Sequence, residues 1–265
     1  MTHTINERVG RLRSWMKENG FTAFVFPSSD PHNSEYVADH WKSREWISGF
    51  SGSAGTAVVT LEYAALCTDS RYFIAAEKEL NGTGFQLMKL RVEGTPSVSE
   101  WLASKLSTYE KAVVGLDGNV NSFAEVAAME QELATKGNIT VRTDADPMAE
   151  LWTDRPVIPD NMVSLHPLEY SGESTSSKVS RVRKHLLDCG ADGLLVTALD
   201  EIAWVLNLRG SDVHCNPVFV SYLLISPENI TLYINNVKLP DDVKAYLMSE
   251  HIDVQAYESV VEGLR

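Results

Sequence analysis

The chain has 265 residues, 44% of them hydrophobic, which is enough for one large or two medium domains with real cores. Its formal net charge of −13 argues against a nucleic-acid partner, because a surface that follows phosphates needs an excess of Lys and Arg. No apolar run approaches the roughly 18 residues of a membrane span, and residues 1–15 lack the apolar core of a secretory signal, so we expect a cytoplasmic protein without membrane partners.

The cysteines predict neither a disulfide framework nor a zinc knuckle. Cys67, Cys189 and Cys215 are widely spaced, and none belongs to a C-x-x-C pair. The cytoplasm is therefore the default compartment.

The first half of the chain alternates between helix and strand patterns. Apolar residues recur at helical spacing from Ile5 to Met16, and Gly20 closes that helix. Further strands are predicted at residues 21–26, 56–61, 64–67, 85–90, 112–116 and 139–142, and further helices before Gly49, from Arg71 to about residue 80, and at 97–106 and 122–134. Asp69 and Ser70 directly precede the helix at Arg71, a pattern typical of an N-cap. This alternation predicts an α/β domain over residues 1–146.

A segment with several prolines, residues 147–177, is predicted to be an interdomain linker. The sequence after it repeats the first half in weaker form: a helix ending at Gly190, a strand at 192–197, a Trp and Gly-Ser segment at 204–211, strands at 218–225 and 230–234, and a helix at 240–250. Five elements in the same order predict a second homologous domain, residues 178–265. A new amphipathic helix begins at residues 257–265 and stops midway, so we expect this domain to be truncated at its C-terminus.

One loop carries metal-binding residue types close together. These are Asp30, His32, Glu35, Asp39 and His40. The loop is rich in Ser and Asn and contains Pro31, so a rigid face of ligands is not favoured, and a solvated or capping loop is the better interpretation.

The Gly-Ser turn of residues 49–55 offers a second candidate. It has no Lys followed by Ser or Thr and leads into a strand, which favours a tight turn over a phosphate loop. The sequence also lacks a G-x-S-x-G elbow, so no nucleophile is assigned.

Arg71 is the strongest polar candidate. It lies where a strand gives way to a helix, and an arginine there can bind a carboxylate or carbonyl in planar, bidentate fashion. Spacing alone favours a simpler interpretation, in which Arg71 pairs locally with Asp69 or Glu77.

Several of these segments together resemble the cytosolic, three-domain Xaa-Pro aminopeptidases. The segments are DPHNSEY at 30–36, SGFSGSAGTAVVT at 48–60, TDSRYF at 68–73, LWTDRP at 151–156 and TALDEIAWVLNLRGSDVHCNPVF at 197–219. The resemblance covers nearly the whole chain, and it implies two tandem creatinase-N-type domains, each a mixed β-sheet flanked by helices.

The resemblance implies a metal-dependent hydrolase that removes the N-terminal residue of peptides with proline second. Its dinuclear metal site, usually manganese, uses two Asp, one His and two Glu in a C-terminal pita-bread domain. This chain ends before those ligands, so no catalytic residue and no metal ligand is assigned, and we expect the fragment to be inactive and without a cofactor. The partners implied are Xaa-Pro peptides, the missing catalytic domain and a homodimer.

The resemblance also gives Arg71 a substrate-binding role, because the family motif Thr-Asp-Gly-Arg-Tyr places its Arg there. Ser70 departs from the usual Gly. Asp30 and His32 lie in a family motif but receive no role. A non-enzymatic peptide- or protein-binding module, as in histone chaperones with aminopeptidase-like domains, remains an alternative, although this chain has neither acidic tails nor degraded motifs. A creatinase or prolidase is disfavoured, since these usually have one such N-terminal domain.

Overall fold

A computed structural model describes residues 4–265, and the chain forms two compact units. Among the described residues, the first comprises residues 4–31 and Asp39–Pro156, and the second comprises His32–Ala38 and Val157–Arg265. The division after Pro156 falls inside the segment predicted as linker, while the linker's bounds, 147 and 177, stay a prediction.

The first unit alternates helices and strands. Its helices are α1 (Ile5–Asn19), α2 (Ser43–Ser48), α3 (Phe73–Glu79), α4 (Val98–Leu106), α5 (Phe123–Ala134) and α6 (Met148–Leu151). Its strands are β1 (Ala23–Pro27), β2 (Thr56–Thr60), β3 (Ala64–Thr68), β4 (Gln86–Lys89), β5 (Ala112–Gly115) and β6 (Ile139–Arg142).

The second unit follows a related order. Its helices are α7 (Leu168–Ser171), α8 (Thr175–Cys189), α9 (Leu199–Leu206), α10 (Asp241–Ser249) and α11 (Val260–Gly263). Its strands are β7 (Ser164–Leu165), β8 (Leu194–Val196), β9 (Leu208–Arg209), β10 (Tyr222–Ile225), β11 (Ile230–Tyr233) and β12 (Asp253–Gln255).

A six-stranded mixed sheet in the order β4-β3-β2-β1-β5-β6 forms the centre of the first unit. Alternate residues of β1 enter different hydrophobic clusters: Phe24 and Phe26 pack in one, Ala23 and Val25 in the other. Both faces of the sheet are therefore covered, which explains why these strands read as nearly continuous apolar runs. Met148 and Leu151 of α6 belong to the first cluster, so this part of the Pro-containing segment packs into a domain core.

The second unit repeats the topology of the first. Its main sheet has the order β12-β11-β10-β8, which matches β4-β3-β2-β1. In each unit the first three strands pair antiparallel and the last pair is parallel. The preceding helices, α1 and α8, both end at a left-handed glycine, Gly20 and Gly190. The predicted internal duplication is confirmed.

Helix starts follow the local sequence closely. Ser97 and Ser122 are the N-caps of α4 and α5, and each forms a capping box. The serine hydroxyl accepts from the backbone N–H of the Glu three residues on, and the carboxylate of that Glu accepts from the backbone N–H of the serine. Thr4 and Glu7 do the same for α1, whose bounds are those predicted.

The predicted strand at 218–225 is wrong over its first half. The backbone N–H of Val220 donates to Asp212 Oδ2 at 2.6 Å, and the N–H of Asp212 donates to the carbonyl of Val218 at 3.2 Å. These bonds hold residues 218–220 to an adjacent loop, and β10 starts only at Tyr222. The fully buried Lys238 pairs with Asp212 and so neutralises its charge.

Among residues 4–265, no helix combines the length and apolar character needed to cross a bilayer.

Candidate functional site

Arg71 lies in the turn that leaves β3. The turn is closed by the N–H of Tyr72, which donates to the carbonyl of Asp69 at 3.0 Å, and α3 begins only at Phe73. The predicted N-cap at Asp69 and Ser70 is therefore wrong: Tyr72 occupies the cap position and makes no side-chain cap bond. The Asp69 carboxylate instead accepts from Arg71.

Asp69 holds Arg71 through three hydrogen bonds. Oδ1 accepts from the backbone N–H of Arg71 at 3.0 Å and from Nε at 2.9 Å, and Oδ2 accepts from Nη2 at 2.8 Å. The Arg71 side chain is 65% exposed and that of Asp69 only 27%. These bonds to Arg71 lower the pKa of Asp69 to about 2. The local pair that spacing favoured is thus present with Asp69, whereas Glu77 pairs with Lys89 at 2.6 Å.

The Gly-Ser turn of residues 49–55 packs against Tyr72, the residue after Arg71. Ser53 Oγ and the Tyr72 hydroxyl are 2.7 Å apart, and Ser51 donates both its N–H and its Oγ hydrogen to the carboxylate of Glu79 at 2.9 and 2.7 Å. A Cβ at Gly52 would lie 2.8 Å from the Tyr72 ring and 2.3 Å from that of Phe50. The structure supports the tight-turn interpretation, because the glycine allows the backbone to approach two aromatic rings.

Arg44, which sequence reasoning did not single out, shapes this turn from inside. It is buried, its guanidinium donates to the carbonyls of Phe50 and Gly52, and it lies 5.0 Å from the Phe50 ring centre. Burial lowers the pKa of Arg44. No local pattern marks this arginine, since it looks like an ordinary polar residue of a short helix.

Arg91 is a second arginine close to Asp69, and no sequence pattern marks it. Strands β3 and β4 are parallel neighbours with Thr68 opposite Lys89, and the N–H of Leu90 donates to the Thr68 carbonyl at 2.9 Å. Arg91 follows in a turn closed by Val92 N–H to Lys89 O at 3.3 Å, with φ of 64°. This left-handed conformation favours glycine and costs an arginine about 1–2 kcal/mol.

The equivalent turn of the second unit shows what the fold itself requires. After β11, Asn235 accepts a bond from the N–H of Val237 at 3.2 Å, just as Asp69 accepts from the N–H of Arg71. Val237 occupies the place of Arg71 and is 60% exposed. The fold therefore needs the Asx-type bond but not an arginine.

The metal-binding residue types of the loop at 30–40 do not form a cluster. His32 is buried in the second unit, with Nδ1 donating to the Thr197 carbonyl at 3.0 Å and Nε2 within 3.0 Å of the Tyr257 hydroxyl. Tyr222 packs against both rings. The expectation of a solvated loop is wrong for His32, because its ring is part of a buried aromatic cluster.

The solvated-loop expectation is also wrong for Asp30, which is buried, whereas Glu35 is exposed. The last two candidates in this loop make separate contacts. Asp39 pairs with Lys42 at 2.6 Å, and His40 Nδ1 donates to the Pro156 carbonyl at 2.6 Å. Burial lowers the pKa of His40, and Arg155 lowers it further. Within residues 4–265, no three His, Cys, Asp or Glu side chains are placed to hold one metal ion, so the described residues do not fit a dinuclear set.

The fold and this site define a tandem pair of creatinase-type domains. Two family models, both described as Creatinase/Prolidase N-terminal domain, match residues 8–150 and 154–265. The chain belongs to the creatinase/prolidase N-terminal domain family.

Its relatives include aminopeptidases. It is 41% identical to "Probable Xaa-Pro aminopeptidase P" of Talaromyces marneffei, over 98% of this chain and 39% of the relative. It is 40% identical to "Xaa-Pro aminopeptidase 1" of Dictyostelium discoideum, over 98% of this chain and 42% of the relative. The chain thus spans about two fifths of the length of the curated relatives it matches.

A solved structure shares the same fold. The X-prolyl aminopeptidase from Caenorhabditis elegans, described as a cytosolic enzyme with a di-nuclear active site, superposes with a TM-score of 0.93 at 31% identity. The match covers 98% of this chain and 44% of that one. The predicted resemblance and the predicted fold class are confirmed.

Proposed function

We propose that this chain is the N-terminal, non-catalytic region of a longer metallo-aminopeptidase that removes the N-terminal residue from peptides with proline second. The proposal is supported by family membership and by relatives that are about 40% identical yet more than twice as long. A dinuclear centre, for which we expect manganese, would lie in the region beyond this chain. Likeness to the C. elegans enzyme, which is described as cytosolic, supports a cytosolic localisation.

Within this region, we propose that Arg71 contacts the peptide substrate. One observation carries this: Asp69 fixes an exposed arginine in a turn whose counterpart in the second unit contains Val237. Because the fold accepts valine at the equivalent position, folding does not require an arginine at position 71, and substrate binding explains its presence. A guanidinium already held in plane loses less conformational entropy when it binds a carbonyl or carboxylate.

The test is hydrolysis of an Xaa-Pro peptide with added manganese, using this chain and the longer protein in parallel. We expect turnover by the longer protein only. Arg71→Val in the longer protein should lower kcat/KM by roughly 10- to 100-fold, the loss of one charge-assisted contact, with unchanged thermal unfolding. Lys111→Ala, which removes another exposed cation of the first unit, is the control. Turnover by this chain would overturn the non-catalytic role, and an unaffected R71V enzyme would overturn the role of Arg71.

Two partner proposals accompany this function. The chain would pack against the catalytic region of the same polypeptide, and the protein would form a homodimer. Sedimentation of the longer protein and of this chain tests the second: a dimeric long form is expected, and a monomer at all concentrations contradicts it.

A further inference from the structure

We propose that Arg91 acts together with Arg71 as a carboxylate-binding site that recognises the C-terminal carboxylate of a short peptide. This inference rests on the proposed substrate role of Arg71 and names the chemical group that the site would take.

The sheet brings the two arginines to one edge. Strands β3 and β4 run parallel with Thr68 opposite Lys89, so the turns that carry Arg71 and Arg91 leave the sheet side by side. The charge of Arg91 reaches the same carboxylate that holds Arg71, because both arginines lower the pKa of Asp69.

The ion pairs described at this edge do not include Arg91. Asp69 binds Arg71 and Glu77 binds Lys89. In the part of the chain that the structure describes, the Arg91 side chain makes no hydrogen bond and no ion pair. The Arg91 guanidinium is therefore available to bind a carboxylate from a ligand.

The backbone at Arg91 strengthens the argument. Its φ of 64° lies in the region that favours glycine, and glycine would satisfy the turn without strain. A strained, charged residue on an exposed edge is a feature that binding explains and that folding does not.

The test measures binding of Ala-Pro-Ala and of its C-terminal amide to this chain by NMR titration at millimolar concentrations. We expect the free acid to bind about 3- to 10-fold more tightly than the amide, the range for an exposed charge-assisted contact. Arg91→Gly should abolish that preference without unfolding the chain, since it relieves the positive φ. Arg91→Lys, which keeps the charge, should retain part of it, and Arg11→Ala, which removes an arginine from α1, should leave it unchanged.

The outcomes separate the two proposals. Equal binding of acid and amide to the wild-type chain, or an R91G chain that keeps the preference, would overturn the role of Arg91. The substrate role of Arg71 would still be supported in that case if R71V weakened the binding of both peptides. If neither peptide binds, or if R71V leaves both affinities unchanged, the substrate role of Arg71 fails and the role of Arg91 fails with it.

Discussion

Asp69 and Arg71 form one structural unit because two residues supply three hydrogen bonds in a single turn. The carboxylate is partly sheltered, while the arginine extends into solvent. Exposed ion pairs usually contribute little to stability, so the main effect of this pair is to orient the Arg71 side chain. Asp69 fixes the plane of the guanidinium, which an isolated surface arginine would not keep.

The pH dependence of this unit is a direct prediction. The folded-state pKa of Asp69 is lowered to about 2, so its stabilising contribution is complete above the ordinary carboxyl value of about 3.9 and is lost as the pH falls through about 2. Carbon-13 NMR of the Asp69 carboxyl should give a midpoint near 2. In Arg71→Val the midpoint should rise toward the ordinary value. A wild-type midpoint close to that of a free aspartate would show that the pair does not persist in solution.

At the scale of elements, the turn of residues 49–55 joins α2, β2 and α3. Arg44 holds it from α2, and Glu79 and Tyr72 hold it from the α3 side. Gly52 and Gly55 make this approach possible, since a Cβ at Gly55 would lie 2.9 Å from the Cys67 carbonyl. The turn is thus a packed part of the domain that supports the aromatic residue next to Arg71.

Two Gly→Ala substitutions, with opposite expected effects on the free energy of unfolding, test this packing. Gly52→Ala places a methyl group within 2.3 Å of a buried ring carbon, and we expect it to lower the free energy of unfolding by about 1–3 kcal/mol. Gly10→Ala is the matched control: no atom lies within 4 Å of its Cβ in α1, so the free energy should rise by about 0.5–1 kcal/mol. Urea unfolding measures both changes, and equal effects at the two sites would contradict the packing argument.

At the scale of the whole molecule, the chain uses one topology twice. The two sheets share strand order and direction, and each follows a long helix that ends at a glycine. The units differ in what their equivalent turns carry, arginine in the first and valine in the second. Duplication therefore supplies the scaffold, and single residues give the copies different surfaces.

Thiol labelling distinguishes the two units experimentally. Cys67 is buried in the first sheet, and burial raises its pKa to about 12, whereas Cys189 and Cys215 of the second unit are exposed. Near pH 8, a thiol reagent should modify two cysteines quickly and the third only when urea unfolds the first unit. Cys67→Ala should remove the slow reaction alone. Rapid modification of all three in the native chain would show that the first sheet is open.

Much of the architecture could be predicted because it depends on local chemistry. The bounds of α1 follow from its apolar spacing and from Gly20, and Ser97 and Ser122 mark the starts of α4 and α5 as capping serines do. Strand β12 was not predicted, because three residues of mixed polarity are too few to show an alternating hydrophobic pattern. Its parallel pairing with β11 defines it as a strand.

The candidate site was predicted less completely, since its parts are distant in sequence. Arg71 could be selected from its place between a strand and a helix, but the N-cap expectation failed because Asp69 binds the arginine two residues on. Arg44 and Arg91 are defined by a buried turn and by strand register, neither of which a short sequence window contains.

The sequence by itself determined the α/β class, the internal duplication and the family, because these depend on periodicity, on glycine and proline positions and on motifs that remain readable along the chain. Only the tertiary structure decided that His32 is buried among tyrosines, that Arg44 supports the Gly-Ser turn and that Arg91 lies beside Arg71. The physical reason is that burial, strand register and charge compensation are properties of residues brought together from distant positions, and no local pattern encodes them.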